Sequence, residues 1–174
     1  MSLPDSILIT RVIVNDDHLA FKILVERYQS DIRSLLLRLT HGNKDIVDDL
    51  AQDSFIRVYK YLSSYNAKAK FKTWLFRITY NVFCEYYNKN RIVQLDINTL
   101  EFRDKESDNS SHAIDFQQAL KVLNVNEQIV IILHFEKGFT HKEISKITKQ
   151  PLGTVKTNIM RGKEKLKKFY NYEG

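Results

Sequence analysis

Along most of this chain, apolar side chains return at every third or fourth position, the period of one face of an α-helix. In "DDHLAFKILVERYQSDIRSLLLRL" they fall at Phe21, Leu24, Tyr28, Ile32, Leu35 and Leu39. Asn15, Asp16 or Asp17 can cap the start of that helix, and Gly42 can close it. "KDIVDDLAQDSFIRVYKYL" sets Val47, Leu50, Ala51, Ser54, Phe55, Val58 and Leu62 on one side. "FKTWLFRITYNVFCEYYN" predicts a third long helix, packed through Phe71, Leu75, Ile78 and Val82. "RIVQLDI" is the one weak candidate for a strand. Residues 104–112, "DKESDNSSH", are polar and charged without a period, which is linker composition. Helical spacing resumes near residue 114.

This organisation predicts an all-α fold of two small helical domains joined by a flexible linker. The expected boundaries are an N-terminal helical bundle over residues 1–92, an acidic tether over 93–113 and a C-terminal four-helix domain over 114–174. In the C-terminal part, Thr140 and Glu143 form a Thr-x-x-Glu capping box that opens "HKEISKIT". "KQPLGT" supplies a turn, with Pro151 suited to the first turn of the next helix. There Leu152, Val155, Ile159, Gly162, Leu166 and Phe169 make one packed stripe. The opposite side shows Gly153, Thr157, Met160, Arg161, Glu164 and Lys168, flanked by Lys156 and Lys167. Two short helices with this turn make a helix-turn-helix, whose second helix reads base edges in the major groove. An amphipathic surface helix with ordinary solvated charge would share the stripe, but it would not need the cap and turn.

Charge then narrows the partner. The 174 residues carry a net charge of +6. Residues 1–92 hold 14 basic and 10 acidic side chains, residues 93–113 hold 2 and 5, and residues 114–174 hold 11 and 6. The basic excess sits in the two helical blocks, which favours a polyanionic partner. Cys84 is the only cysteine, so an internal disulfide and a cysteine-based zinc site are excluded. No apolar run approaches the roughly 18 residues of a membrane span. The start, "MSLPDSILITRVIVNDD", lacks a basic leader followed by a continuous apolar segment. A cytoplasmic location is therefore expected. The five histidines show no metal-ligand spacing, and no phosphate-binding glycine loop is present. Neither catalysis, nor a cofactor, nor a small-molecule substrate is expected.

Two further features exceed what a lone DNA-binding domain needs. On the helix over residues 71–88, the side away from the packed face carries Trp74, Arg77, Tyr80, Asn81, Cys84, Tyr87 and Asn88. Just before it, "SSYNAKAKFK" holds Tyr65, Lys68, Lys70 and Lys72. Aromatics interleaved with basic and amide groups suit single-stranded nucleic acid, where each base–aromatic stack contributes about 1–3 kcal/mol. Taken singly, Trp74 and Tyr80 fit a bundle core equally well. On the preceding helix, Asp49, Gln52, Asp53 and Ile56 fall at i, i+3, i+4 and i+7, opposite the apolar side. Phosphates would repel such a stripe, so it is either a solvated face or a docking surface for a basic, partly apolar protein helix.

Together, "DDLAQDSFIRVYK", "FKTWLFRITYN" and "GFTHKEISKITKQPLGTVKTNIMRGKEKL" resemble bacterial RNA polymerase sigma factors of the extracytoplasmic-function group. The shared pattern runs Asp-Leu-x-Gln-x-x-Phe, Phe-x-x-Trp-Leu-x-x-Ile-x-x-Asn, then Glu-Ile-Ser/Ala and Pro-x-Gly-Thr-Val-Lys, over residues 18–88 and 114–169. The resemblance implies that Asp49, Gln52, Asp53 and Ile56 dock on a coiled coil of the largest subunits of core RNA polymerase. It implies that Tyr65, Lys68, Lys70, Lys72, Trp74, Arg77, Tyr80 and Asn81 capture the opened −10 promoter element. It assigns the −35 element to Thr154, Lys156, Thr157, Asn158, Met160 and Arg161, with the polymerase flap contacting the same domain. It also implies an anti-sigma partner. Three positions depart from the family pattern: Asn124 stands where proline is usual, Asn158 where arginine is, and Gly162 where alanine is. The competing expectation is a self-sufficient helix-turn-helix regulator that binds its operator as a dimer.

Overall fold

The computed structural model describes residues 3–96 and 111–172. All regular structure among them is helical. Residues 97–110, most of the expected linker, lie outside the described residues. Helices α1 (Asp5–Asn15), α2 (His18–Leu39), α3 (Lys44–Tyr61) and α4 (Phe71–Asp96) build the N-terminal unit. A short 3-10 turn, Leu62–Ser64, follows α3. Helices α5 (Ser111–Leu120), α6 (Val125–Ile131), α7 (His141–Thr148) and α8 (Leu152–Tyr172) build the C-terminal unit. Helix α6 runs on into a π turn, Ile132–Glu136.

Local chemistry sets the ends. Asp17 caps α2, its carboxylate accepting from the Ala20 amide at 2.9 Å, so of the three candidates the third is used. Asp16 instead takes a left-handed φ of 49° and ends α1. Gly42 closes α2 with a φ of 88°, a conformation an L side chain rarely adopts, and its amide returns to the Leu37 carbonyl. Asn43 then caps α3 through the Ile46 amide. Asn124, the first departure from the family pattern, caps α6 in a full capping box. Its side chain accepts from the Glu127 amide at 2.9 Å, and its own amide donates to Glu127 at 3.0 Å. A proline there could not make the second bond.

One expectation is corrected, and two further features were not expected. The segment "RIVQLD" is not a strand; it continues α4 as helix to Asp96, past the expected boundary at residue 92. Helix α5 starts at Ser111, inside the expected linker. Helix α1, which the sequence reading passed over, buries Leu8, Ile9 and Val12.

Helix α4 holds the molecule together because it is buried on two sides. Phe71, Leu75 and Val82 are buried as expected; Ile78, expected beside them, is only half-buried, and Phe76 and Phe83 are buried as well. Phe76 is covered because α7 of the C-terminal unit packs along α4, with Phe76 and Phe139 edge to face at 4.8 Å. Each large side chain so buried contributes about 1.5–3 kcal/mol. A second patch of the same seam joins α2 to the end of α6: Arg38 Nε lies 3.2 Å from Glu136, and Lys137 donates to Ser34. The Gln117 amide donates to the Arg38 carbonyl at 3.1 Å. The two units therefore share one continuous apolar core.

Candidate nucleic-acid interface

The first surface lies where α3 meets α4. Tyr65 leaves the 3-10 turn half-buried, its hydroxyl donating to the Ala69 carbonyl at 2.8 Å, which fixes the loop before α4. Its ring stands 5.5 Å from Trp74 and 5.6 Å from Phe71, and Phe71 stands 5.8 Å from Trp74. Behind this trio, Tyr28 meets Phe71 at 5.6 Å, and the Tyr28 hydroxyl donates to Asp5 of α1. Burial and that carboxylate together push the Tyr28 phenol well above its ordinary value. Arg27 clamps Asp5 from the other side and donates to the Leu3 carbonyl at 2.7 Å. Helix α1 thus braces the aromatic trio from the rear.

In front of the trio runs an open groove lined by Tyr61, Ser64, Asn66, Trp74, Arg77, Ile78 and Asn81. It combines an aromatic face, amide groups and a guanidinium, the set that stacks and hydrogen-bonds an unpaired base. The structure brings Trp74, Arg77 and Asn81 together there, while Tyr65 packs against Trp74 outside the lining. Asn81 also faces an adjoining hollow whose far wall is Lys149 of the helix-turn-helix turn.

The other candidates of this block are placed differently. Lys68 is exposed on the loop. Lys70 reaches Glu143 of α7 at 3.7 Å, and Lys72 pairs with Asp31 at 2.8 Å while lying over the rings of both Phe76 and Phe139. Tyr80 turns from the groove toward Cys84 and Gln150, and burial is the main cause that holds its phenol above the ordinary range. Tyr61, Ser64 and Asn66 were missed. The loop residues Ser64 and Asn66 carried a readable turn signal, since Asn66 accepts from the Lys68 amide beside Ala67, which sits at a φ of 56°.

On α3, Asp49, Gln52 and Ile56 are exposed, Ile56 by 56%. Asp53 differs, because Arg57 pairs with it at 3.0 Å and forks both guanidinium nitrogens onto Glu85 of α4 at 2.7 Å. The Arg57 bonds hold the Glu85 carboxyl below its ordinary value.

In the C-terminal unit, the capping box forms as expected, Thr140 accepting from the Glu143 amide and Glu143 accepting from Thr140. That backbone bond is the largest cause holding the Glu143 carboxyl low. Lys149 takes a left-handed φ of 57° in the turn, and Pro151 stands just before α8 with its carbonyl accepting from Val155. Val155, Ile159 and Gly162 are buried, which leaves Thr154, Lys156, Met160 and Arg161 projecting. Thr157 is half-buried and donates to the Gly153 carbonyl at 2.9 Å. Asn158, the second departure, is also half-buried and donates to the Gln150 side chain at 3.4 Å. Gln150 in turn donates to Asn126 at 3.3 Å. The third departure has an equally local cause, because a Cβ on Gly162 would lie 2.8 Å from Ile131 of α6. Beside it Lys165 bonds the buried Glu127 at 2.7 Å, so α8 lies tight on α6.

A family model described as Sigma-70 region 2 matches residues 24–92, and one described as Sigma-70, region 4 matches residues 113–166. The ECF RNA polymerase sigma-E factor of Salmonella typhimurium strain 14028s is 32% identical over 178 residues, covering 93% of this chain and 92% of that protein. The protein of the same name from Escherichia coli K12 is 31% identical with the same coverage. Among solved structures, the sigma factor RpoE of Bartonella quintana, in complex with the anti-sigma factor NepR, overlays with a TM-score of 0.77 at 22% identity, covering 87% of this chain and 96% of that one. CnrH in complex with the cytosolic domain of CnrY overlays at 0.74 and 22%, covering 98% and 99%.

Proposed function

As the chain belongs to the extracytoplasmic-function group of bacterial RNA polymerase sigma factors, we propose that its surfaces divide the family's work residue by residue. The protein directs promoter-specific initiation by core RNA polymerase and contributes recognition, not catalysis. Asp49, Gln52 and Ile56 form the surface for the polymerase coiled coil, with Asp53 held by Arg57 to shape its edge. The groove of Trp74, Arg77 and Asn81, with Tyr65 packed against Trp74, receives the opened −10 strand, and Lys68, Lys70 and Lys72 neutralise its phosphates. Unstacking a base costs a few kcal/mol, which a stack of about 1–3 kcal/mol and the amide bonds offset. Tyr80 supports this surface from the side. On α8, Thr154, Lys156, Met160 and Arg161 meet the −35 duplex, where each good bidentate base contact discriminates by about 1–3 kcal/mol. Thr157 and Asn158 are turned partly inward and set the helix position.

The observation that carries this reading is the coexistence, in one chain, of an exposed acidic stripe ending in Ile56 with an aromatic, amide-lined groove and a basic recognition helix. A self-sufficient operator-binding regulator needs only the last. No described helix is long and apolar enough to cross a membrane, and a sigma factor acts where polymerase acts, so the cytoplasm is its place. One solved neighbour, RpoE of Bartonella quintana, was captured with an anti-sigma factor, which supports a partner of that kind here. The division at residues 1–92, 93–113 and 114–174 belongs to the same proposal.

The test is to mix the purified chain with bacterial core RNA polymerase and run transcription on a pool of genomic promoters. Tight core binding and discrete start sites are expected. Sequence-specific DNA binding by the chain alone, with no core binding, would overturn the assignment.

A further inference from the structure

We propose that Arg57 is a positioning residue for the −10 strand: its fork onto Glu85 sets the width of the groove between α3 and α4, and its hold on Asp53 ties that width to the polymerase-docking stripe. This role rests on the function proposed above.

The Arg57 guanidinium is shared between two helices. Its Nε donates to one Asp53 oxygen at 3.1 Å, and a terminal nitrogen lies 3.0 Å from the other. Both terminal nitrogens donate to the two Glu85 oxygens at 2.7 Å. Tyr61 stands one turn after Arg57 on α3, and Asn81 stands one turn before Glu85 on α4, so each is about 6 Å along its helix from the fork. Tyr61 and Asn81 line both the −10 groove and the hollow beside it, and Arg57 and Glu85 line that hollow with them. The fork therefore holds the two walls between which a base must fit. A bidentate pair fixes distance and orientation together, and a misplacement of about 1 Å in a reacting complex costs a factor of about a hundred in rate.

Stability is not the use of this pair. The side chains are 31% exposed at Arg57 and 60% at Glu85, and ion pairs so exposed add little to the fold. A neutral side chain at either position leaves α3 and α4 packed through buried residues such as Val58 and Val82. The hold on Asp53 has a cost of its own. Asp53 belongs to the docking stripe, and a guanidinium at 3.0 Å offsets its charge toward a basic partner helix. Arg57 thus gives up some docking strength for a groove of fixed width. Removing it should move docking and opening in opposite directions, whereas loss of a merely structural residue would weaken both.

The affinity of the full chain for core polymerase is measured by fluorescence titration. Opening is measured at saturating holoenzyme as the rate of fluorescence gain from 2-aminopurine placed in the −10 region. Arg57→Gln should bind core about twofold to fivefold tighter yet open the promoter about tenfold slower, with its urea midpoint unchanged. Glu85→Gln should slow opening equally and leave core affinity as it was. The double variant should be no slower than either single one, because both break the same tie. Arg57→Lys keeps the charge but cannot fork, so it should bind core as wild type does and still open slowly. The two glutamine variants move the charge beside the strand in opposite directions, so equal losses exclude a field effect on the phosphates. Wild-type opening by Arg57→Gln, losses that multiply in the double variant, faster opening by Glu85→Gln, or a parallel loss of core affinity and opening would each overturn the role. Failure of the underlying function looks different: the wild-type chain would neither bind core nor open any promoter, and the positioning role would fall with it.

Discussion

Gly162→Ala pits two local effects against each other, and the structure decides between them. Position 162 lies in the middle of α8, where alanine improves helix propensity by about 0.5–1 kcal/mol over glycine. The added methyl, however, would stand 2.8 Å from Cγ1 and 3.0 Å from Cδ1 of Ile131, and 3.8 Å from Cβ of Glu127. Ile131 is 1% exposed, and its β-branched side chain has little room to turn. Overpacking of this kind costs about 1–3 kcal/mol, so the net effect is a loss of up to about 2.5 kcal/mol, read by urea unfolding. Ile131→Ala alone costs about 2–5 kcal/mol through its cavity. In that background both close atoms are gone, and the same Gly162→Ala change should now stabilise by about 0.5–1 kcal/mol. The sign reversal across the double-mutant cycle is the diagnostic. If Gly162→Ala stabilises the protein with Ile131 in place, then α8 slides off α6 at no cost. The claim that this glycine fixes the recognition helix would then be wrong.

Asp49→Lys should weaken core-polymerase binding at least about tenfold with unfolding free energy changed by less than about 0.5 kcal/mol; an unchanged pull-down would refute the docking stripe. Trp74→Ala with Asn81→Ala should reduce promoter opening about tenfold or more, seen as lost permanganate reactivity over the −10 region, with normal reactivity counting against the groove. Arg161→Ala should cost about 1–3 kcal/mol of −35-dependent initiation, whereas Asn158→Ala, whose side chain bonds Gln150, should leave base preference in a randomised −35 element unaltered. Glu143 is held below its ordinary carboxyl value of 4.5 by the Thr140 amide, so its contribution is fully present above that value and is lost as pH falls through the lowered one. Melting curves from pH 6 to pH 3 should show a shallower acid loss for Glu143→Gln, and identical slopes would sink the point.

The long helices were legible because each buries one continuous face, and caps such as Asp17 and the Thr140–Glu143 box mark their starts. What escaped was non-local. Phe76 on α4 reads as a surplus apolar residue until the C-terminal unit is known to cover it. Helix α1 is an eleven-residue element rich in β-branched residues, so its propensity is weak and its three inward side chains make a thin signal. Tyr80 looked interchangeable with its neighbours on the helical wheel, yet the side chains of Cys84 and Gln150 draw it off the groove. The three departures from the family pattern were visible as letters, but their causes, a capping amide, a turn glutamine and a crowded isoleucine, exist only in the folded chain.

The brace behind the aromatic trio has a consequence for genetics. Asp5 holds Tyr28 and Arg27, Tyr28 meets Phe71, and Phe71 meets Trp74. A screen for strains that bind polymerase yet open promoters poorly should therefore return alleles in codon 5 alongside those in codon 74. Ranked by phenotype alone, the first class would be entered as DNA contacts, although the residue it changes lies on the far side of the ring stack from the strand it affects.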